Sequence, residues 1–136
     1  MKYKFLDDLT SDVMYEAYGK DLKELFSNAA LALFEVISDI SNVNPKLIKK
    51  VELKAENLEE LMIACLQELI ARVDTDMMFF SEFDIEEIDE THLKATISGD
   101  GITPELGGTV VKAVTYYKFQ LEQTKKGYVA RVSLDI

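Results

Sequence analysis

The sequence predicts an α+β fold in which two amphipathic helices pack on a mainly antiparallel β-sheet, as a single two-layer domain over residues 1–136. Two stretches in the first half repeat apolar residues at spacings of three and four, as one face of a helix does. The second half instead alternates apolar and polar residues between short turns, which is typical of antiparallel hairpins. Helices early and strands late favour segregated elements over alternating strand and helix units.

The first elements are two strands around an acidic turn. Residues 3–6 are strand-like, and three carboxylates follow within residues 7–12. Residues 13–18 then alternate, with Tyr15 and Ala17 on the face that we expect to meet the core. Asp12 has the opposite parity, so we expect it on the face away from the core.

The two helices begin with similar capping patterns. In each, a side chain that can accept a hydrogen bond is followed three residues later by Glu. The pairs are Asp21 with Glu24 and Asn57 with Glu60. Apolar stripes follow over residues 22–37 and 58–73, and the alternating residues 50–56 between them predict a half-exposed strand.

The second half predicts two hairpins and a loop between them. The hairpins pair residues 79–88 with 92–98 and residues 111–122 with 128–134, and the loop covers residues 100–108. In the last strand Ala130 and Val132 have inward parity, whereas Asp135 has outward parity. Asp135 and Asp12 therefore have matching orientations and can meet if their strands are neighbours.

Composition excludes several classes of protein. The 25 acidic and 15 basic residues give a net charge of −10, so the overall field repels phosphate backbones and we expect no direct nucleic-acid binding. The single Cys65 excludes an internal disulfide or a Cys-based zinc site, and its place in the second apolar stripe favours core packing over nucleophilic chemistry. No stretch has the character of a targeting region or a membrane span, so we expect a cytoplasmic protein that does not bind membranes.

The charges are unevenly distributed. Residues 74–100 contain nine acidic residues and one Lys, whereas residues 112–131 contain five basic residues and one acidic residue. Solvated strand faces explain this pattern. The alternative is that one of these faces docks on a charged partner.

Carboxylates are the main candidates for chemistry. The chain has no phosphate-binding Gly-rich loop, dinucleotide fingerprint, CxxC or GxSxG motif. Asp8, Asp12, Asp135 and the carboxylate or carbonyl of Ile136 could supply oxygens to Ca²⁺ or Mg²⁺. Two separate exposed turns would explain the same residues, because Asp and Thr are ordinary turn residues.

Two further alternatives concern activity. A metal-dependent hydrolase would need an acid or base beside the metal, and Lys112 is the only basic residue in a suitable context. The only histidine, His92, has the alternating neighbours of a surface strand residue. A passive binding or chaperone module would act through its sheet or helix faces instead.

The chain resembles the archease family over essentially its full length. Residues 8–12, Asp-Leu-Thr-Ser-Asp, are similar to the family's Asp-His-Thr-Ala-Asp signature, and residues 18–30 are similar to the helix segment that follows it. Residues 80–83, 111–116 and 130–136 match in the same order. Two positions depart from the pattern, because the signature histidine is Leu9 here and the histidine that usually follows the Val-Thr-Tyr run is Tyr117.

The resemblance implies a non-enzymatic activator of an RtcB-type RNA ligase, the enzyme that joins tRNA halves in tRNA splicing. Archeases promote formation of the guanylylated ligase and its turnover, and some members are described as chaperone-like modulators of a tRNA methyltransferase. By the same resemblance, a metal site commonly assigned to calcium falls on Asp12, Asp135 and Ile136. Lys112 is a candidate for the activating surface, and Asp8 is a candidate for a further metal or activation residue.

Overall fold

The computed structural model describes residues 1–7 and 12–136. Two α-helices and seven strands lie within these residues, and no helix among them is both long and apolar enough to cross a membrane. In chain order the elements are β1 Tyr3–Leu6, β2 Val13–Gly19, α1 Leu22–Ile37, β3 Leu47–Lys54, α2 Leu58–Thr75, β4 Met78–Ile88, β5 His92–Gly101, β6 Ala113–Thr124 and β7 Gly127–Asp135.

The predicted α+β class is confirmed, but the strands form two sheets rather than one. The first sheet has the order β1-β2-β7-β6 and the second the order β3-β5-β4, and every pair is antiparallel. Each predicted hairpin forms, as β4 with β5 and as β6 with β7. One earlier strand then pairs with each hairpin: β3 pairs with β5, and β2 pairs with β7. This nonlocal pairing divides the strands into two sheets.

Helix α1 contacts both sheets through β2 and β4. Its predicted apolar stripe is buried except for Leu22, which is half-buried, and Asn28 and Ala32 are buried in addition. The Asn28 amide is satisfied because its Nδ2 donates to the Tyr18 carbonyl at 2.7 Å. The helix is therefore covered on more than one side, and its small residues allow close approach.

Helix α2 buries most of the predicted stripe, including Cys65, whereas Leu58 and Val73 at its ends are half-buried. Burial in this apolar environment raises the pKa of the Cys65 thiol to about 12. A thiol with so high a pKa is almost entirely protonated near neutral pH and is a poor nucleophile. The structure thus confirms Cys65 as a packing residue.

Both predicted helix starts are present. The Asp21 carboxylate accepts from the Glu24 backbone N–H at 2.8 Å, and the Asn57 side chain accepts from the Glu60 N–H at 2.9 Å. Glu24 in turn accepts from the Lys20 N–H at 3.1 Å. These bonds satisfy backbone donors that have no partner inside the helix.

Replacing either cap by alanine should destabilise the fold modestly. We expect Asp21→Ala and Asn57→Ala each to lower the free energy of unfolding by about 1 kcal/mol, because each leaves a helix N–H without its acceptor. Urea denaturation followed by circular dichroism measures the change. Asp21→Asn is the matched control, since it keeps an acceptor oxygen, and a loss equal to that of Asp21→Ala would contradict the capping role.

Candidate metal centre

Strands β2 and β7 bring the two predicted acidic segments together. They are antiparallel neighbours, and the register pairs Val13 with Leu134. Asp12 directly precedes Val13 and Asp135 directly follows Leu134. The two aspartates therefore lie at neighbouring strand ends, at one end of the first sheet. We call this end, with Asp12 and Asp135, the acidic edge. Its formation is the adjacency that the sequence predicted.

The other predicted residues lie beside this edge. Asp135 pairs with Ala113 on β6, and the Lys112 backbone N–H donates to the Asp135 carbonyl at 2.8 Å. Lys112 itself is exposed, as is Ile136, which follows Asp135 in the chain. Asp12 and Asp135 are half-buried. Four of the five predicted site residues are thus close in the structure, and the fifth, Asp8, lies outside the described residues.

The sheet face on which the aspartates lie is less exposed to solvent than predicted. Met14 shares the parity of Asp12 and Ser133 shares that of Asp135, yet both are buried. For Ser133 the cause is an irregularity in β6, where residues 116–119 stand opposite the single residue Val132. The Ser133 hydroxyl donates to the Tyr117 carbonyl at 2.8 Å, so this β6 bulge is bonded to the outer side of β7.

The β6 bulge was not predicted from the sequence. Its residue Lys118 has a φ of 51°, a left-handed conformation that costs a non-glycine residue about 1 kcal/mol or more. The Lys118 ammonium lies 5.4 Å from the centre of the Tyr117 ring. Tyr117 has an exposed ring and lies in this bulge, whose backbone is bonded to Ser133, two residues before Asp135.

Oxygen donors of this kind fit a hard divalent cation. Two half-buried carboxylates and an adjacent oxygen of Ile136 are the ligands that Ca²⁺ takes in proteins, and waters complete a shell of about six to eight oxygens. Among residues 1–7 and 12–136, no three His, Cys, Asp or Glu side chains are grouped as metal ligands. A site here would therefore combine two Asp side chains with oxygens of other kinds.

His92 lies away from this edge, at the start of β5. Its Nε2 is 3.4 Å from the Glu52 carboxylate on the neighbouring strand β3. This is a diagonal contact between neighbouring strands of the second sheet, because the register pairs His92 with Lys54 and Glu52 with Lys94. It fits the prediction that His92 is a surface strand residue.

The fold and this edge define a small α+β protein with two antiparallel sheets and a pair of aspartates at adjacent strand ends. The model of the Archease protein family matches residues 3–136. The chain belongs to the archease family.

Individual relatives agree over almost the whole chain. The chain is 40% identical to protein archease of Methanosarcina acetivorans, covering 99% of this chain and 96% of the relative. It is 38% identical to protein archease of Archaeoglobus fulgidus, covering 100% of both.

Two solved structures have a similar fold. The solution structure of protein 1598 of Methanobacterium thermoautotrophicum matches with a TM-score of 0.81 at 36% identity and covers 99% of both chains. The crystal structure of a Thermotoga maritima protein, described as an archease and possible chaperone, matches with a TM-score of 0.69 at 20% identity. It covers 96% of this chain and 95% of that one, and this likeness concerns the fold alone.

Proposed function

We propose that this protein is a non-enzymatic cofactor of an RtcB-type tRNA-splicing RNA ligase, whose guanylylation and turnover it promotes. The proposal rests on membership of the archease family together with one observation. Pairing of β2 with β7 places Asp12 and Asp135 at one edge of the sheet, with Lys112 beside them. These are the residues to which the family resemblance assigns the metal site and the activating surface.

A divalent cation fits the proposed site, and calcium is the ion that we propose. Asp12 and Asp135 would hold it through their carboxylates, and Ile136 would add a further oxygen. The bound ion would supply positive charge that neutralises two neighbouring carboxylates and fixes their positions. The protein's own contribution is the rigid pairing of β2, β7 and β6, which keeps these groups at one edge.

The overall charge suits a protein partner that is basic. A chain with a net charge of −10 is repelled by RNA, but it is attracted to the positively charged surface with which an RNA enzyme binds its substrate. Such complementarity chiefly accelerates encounter and favours one orientation of docking. The acidic edge would then face the ligase.

A guanylylation assay tests the proposal. The ligase is incubated with GTP and substoichiometric amounts of this protein, as wild type, Asp12→Ala or Asp135→Ala. We expect the wild type to accelerate formation of guanylylated ligase through many turnovers. In both variants this acceleration should be at least about tenfold smaller, because loss of a metal ligand or of its supporting residue commonly has an effect of that size. Equal rates with wild type, variants and buffer would refute it.

The description of the Thermotoga maritima relative favours a second candidate function, that of a chaperone-like modulator, for example of a tRNA methyltransferase. Such a module would act through its surface without the carboxylates. Suppression of thermal aggregation of the partner by wild type and by Asp135→Ala to the same extent would support it over ligase activation. The protein alone, incubated with Mg²⁺ or Mn²⁺ and phosphoesters, serves as the control for a metal-dependent hydrolase.

A further inference from the structure

An apolar cavity of about 230 Å³ lies between the C-terminal ends of α1 and α2 and the segment of residues 102–111. Its wall includes Ile37, Val73 and Phe79. The segment is fixed to α1, because the Gly108 N–H donates to the Ile37 carbonyl at 2.8 Å. A cavity of about 150 Å³ holds a benzene ring, so this one accommodates one bulky apolar side chain.

Exposed apolar residues surround the mouth of this cavity. Val110 is 80% exposed and Ile102 is 43% exposed, and both contribute to the lining. Single exposed apolar residues are common, but two beside a concave apolar site form the kind of patch that marks an interaction surface. The cavity therefore has the shape and rim of a docking site.

The charge at the mouth of the cavity indicates the charge of the group that binds beside it. Asp74 is the only charged residue that lines the cavity in the described part of the chain. Within residues 1–7 and 12–136 no cation pairs with it, since the nearby Arg72 guanidinium binds Glu68 and Asp76 instead. An apolar side chain accompanied by Lys or Arg would complement both the cavity and this carboxylate.

The cavity lies next to the candidate metal centre along the chain. Val111 lines the cavity and is buried, and the next residue, Lys112, donates its backbone N–H to the Asp135 carbonyl at 2.8 Å. Consecutive Cα atoms are about 3.8 Å apart. A partner that covers the acidic edge is therefore within reach of the cavity mouth.

We infer that the cavity receives one bulky apolar side chain of the ligase, next to a Lys or Arg that faces Asp74. This inference rests on the proposed function and adds a second contact to it. The apolar anchor contributes affinity, whereas the acidic edge contributes activation. The two contacts can therefore be separated by variants that change one and not the other.

Filling the cavity is the direct test. A Cβ at Gly107 would meet only the Pro104 carbonyl at 3.4 Å and the Phe79 ring at 3.8 Å, both ordinary contacts, so Gly107→Leu projects into the cavity with little disturbance of the backbone. We expect this variant to raise the Kd for the purified full-length ligase at least about tenfold in isothermal titration calorimetry. Guanylylation at saturating concentrations of the variant should equal that of the wild type.

A rim variant and a matched control complete the test. Val110→Glu changes an exposed residue, so it leaves the core intact, and it should weaken binding as Gly107→Leu does. Ile48→Glu is the control, because Ile48 is 66% exposed on β3 and does not line the cavity. Asp74→Asn should reduce the salt dependence of binding.

The outcomes distinguish the two proposals. Unchanged Kd values for Gly107→Leu and Val110→Glu, with a wild type that binds and activates, would overturn the anchor and leave the proposed function standing. No binding of the ligase by the wild type would remove both. A wild-type dimer that Gly107→Leu converts to monomers in size-exclusion chromatography would assign the cavity to a second copy of this chain and overturn the ligase anchor.

Discussion

Asp135→Asn should remove at least about half of the expected stabilisation of this protein by calcium and leave its fold unchanged. The substitution keeps the size of the side chain, and the backbone contacts of residue 135 with Lys112 and Ala113 do not depend on the carboxylate. It removes one of the two carboxylates that the proposed site uses, and a cation as hard as Ca²⁺ strongly prefers charged oxygen ligands. Calcium affinity should fall at least about tenfold.

Thermal unfolding provides the measurement. A ligand that binds only the folded state at about 100 times its Kd stabilises it by roughly 2.7 kcal/mol. In a domain of this size that corresponds to a rise in Tm on the order of 10 °C for the wild type. We expect a rise of at most about 5 °C for Asp135→Asn at the same calcium concentration, because a tenfold loss of affinity leaves about 1.4 kcal/mol of stabilisation.

A control separates a specific site from general screening of negative charge. Asp84 is exposed on β4 in the second sheet, and Asp84→Asn makes the same chemical change away from the acidic edge. It should retain the full calcium-induced rise in Tm. An equal rise in wild type and Asp135→Asn would mean that calcium stabilises the protein through its net charge and not through this site.

Features set by neighbouring residues in the chain were predictable from the sequence. The Asp21 and Asn57 caps each act within three residues, and both hairpins join segments separated by short turns. The bounds of β3 were less accurate, because it extends back to Leu47 by pairing with β5. That pairing depends on residues of β5 about fifty positions further along the chain, which local patterns do not report.

The adjacency of the candidate site residues was predicted from the sequence, but their surroundings were not. Outward parity of Asp12 and Asp135 required only the two-residue period of a strand and the assumption that β2 and β7 are neighbours. Burial of Ser133 on the same face depends on the β6 bulge, whose positive φ falls on Lys118. Lysine carries no sequence signal for a left-handed conformation, so the enclosure of the acidic edge could not be foreseen.

Gly99→Ala should cause a large loss of stability by forcing two strands of the second sheet apart. A Cβ at Gly99 would lie 1.9 Å from the Phe79 carbonyl oxygen and 2.8 Å from the Phe80 Cα. Both are backbone atoms, so no rotation of a side chain relieves the overlap, and β4 and β5 must move apart. Phe80 is buried, with its ring 5.9 Å from that of Phe34 on α1, so this movement also opens the contact between the sheet and the helix.

We expect the free energy of unfolding to fall by about 3 kcal/mol, the upper part of the range for overpacking a core, with a lower midpoint in urea and an unchanged slope. Gly101→Ala is the matched control, because the same methyl group on the same strand would meet nothing within 4 Å. Equal midpoints for the two variants would contradict the close packing of β4 on β5. Because Phe79 also lines the apolar cavity, Gly99→Ala should in addition weaken binding of the ligase, whereas Gly101→Ala should not.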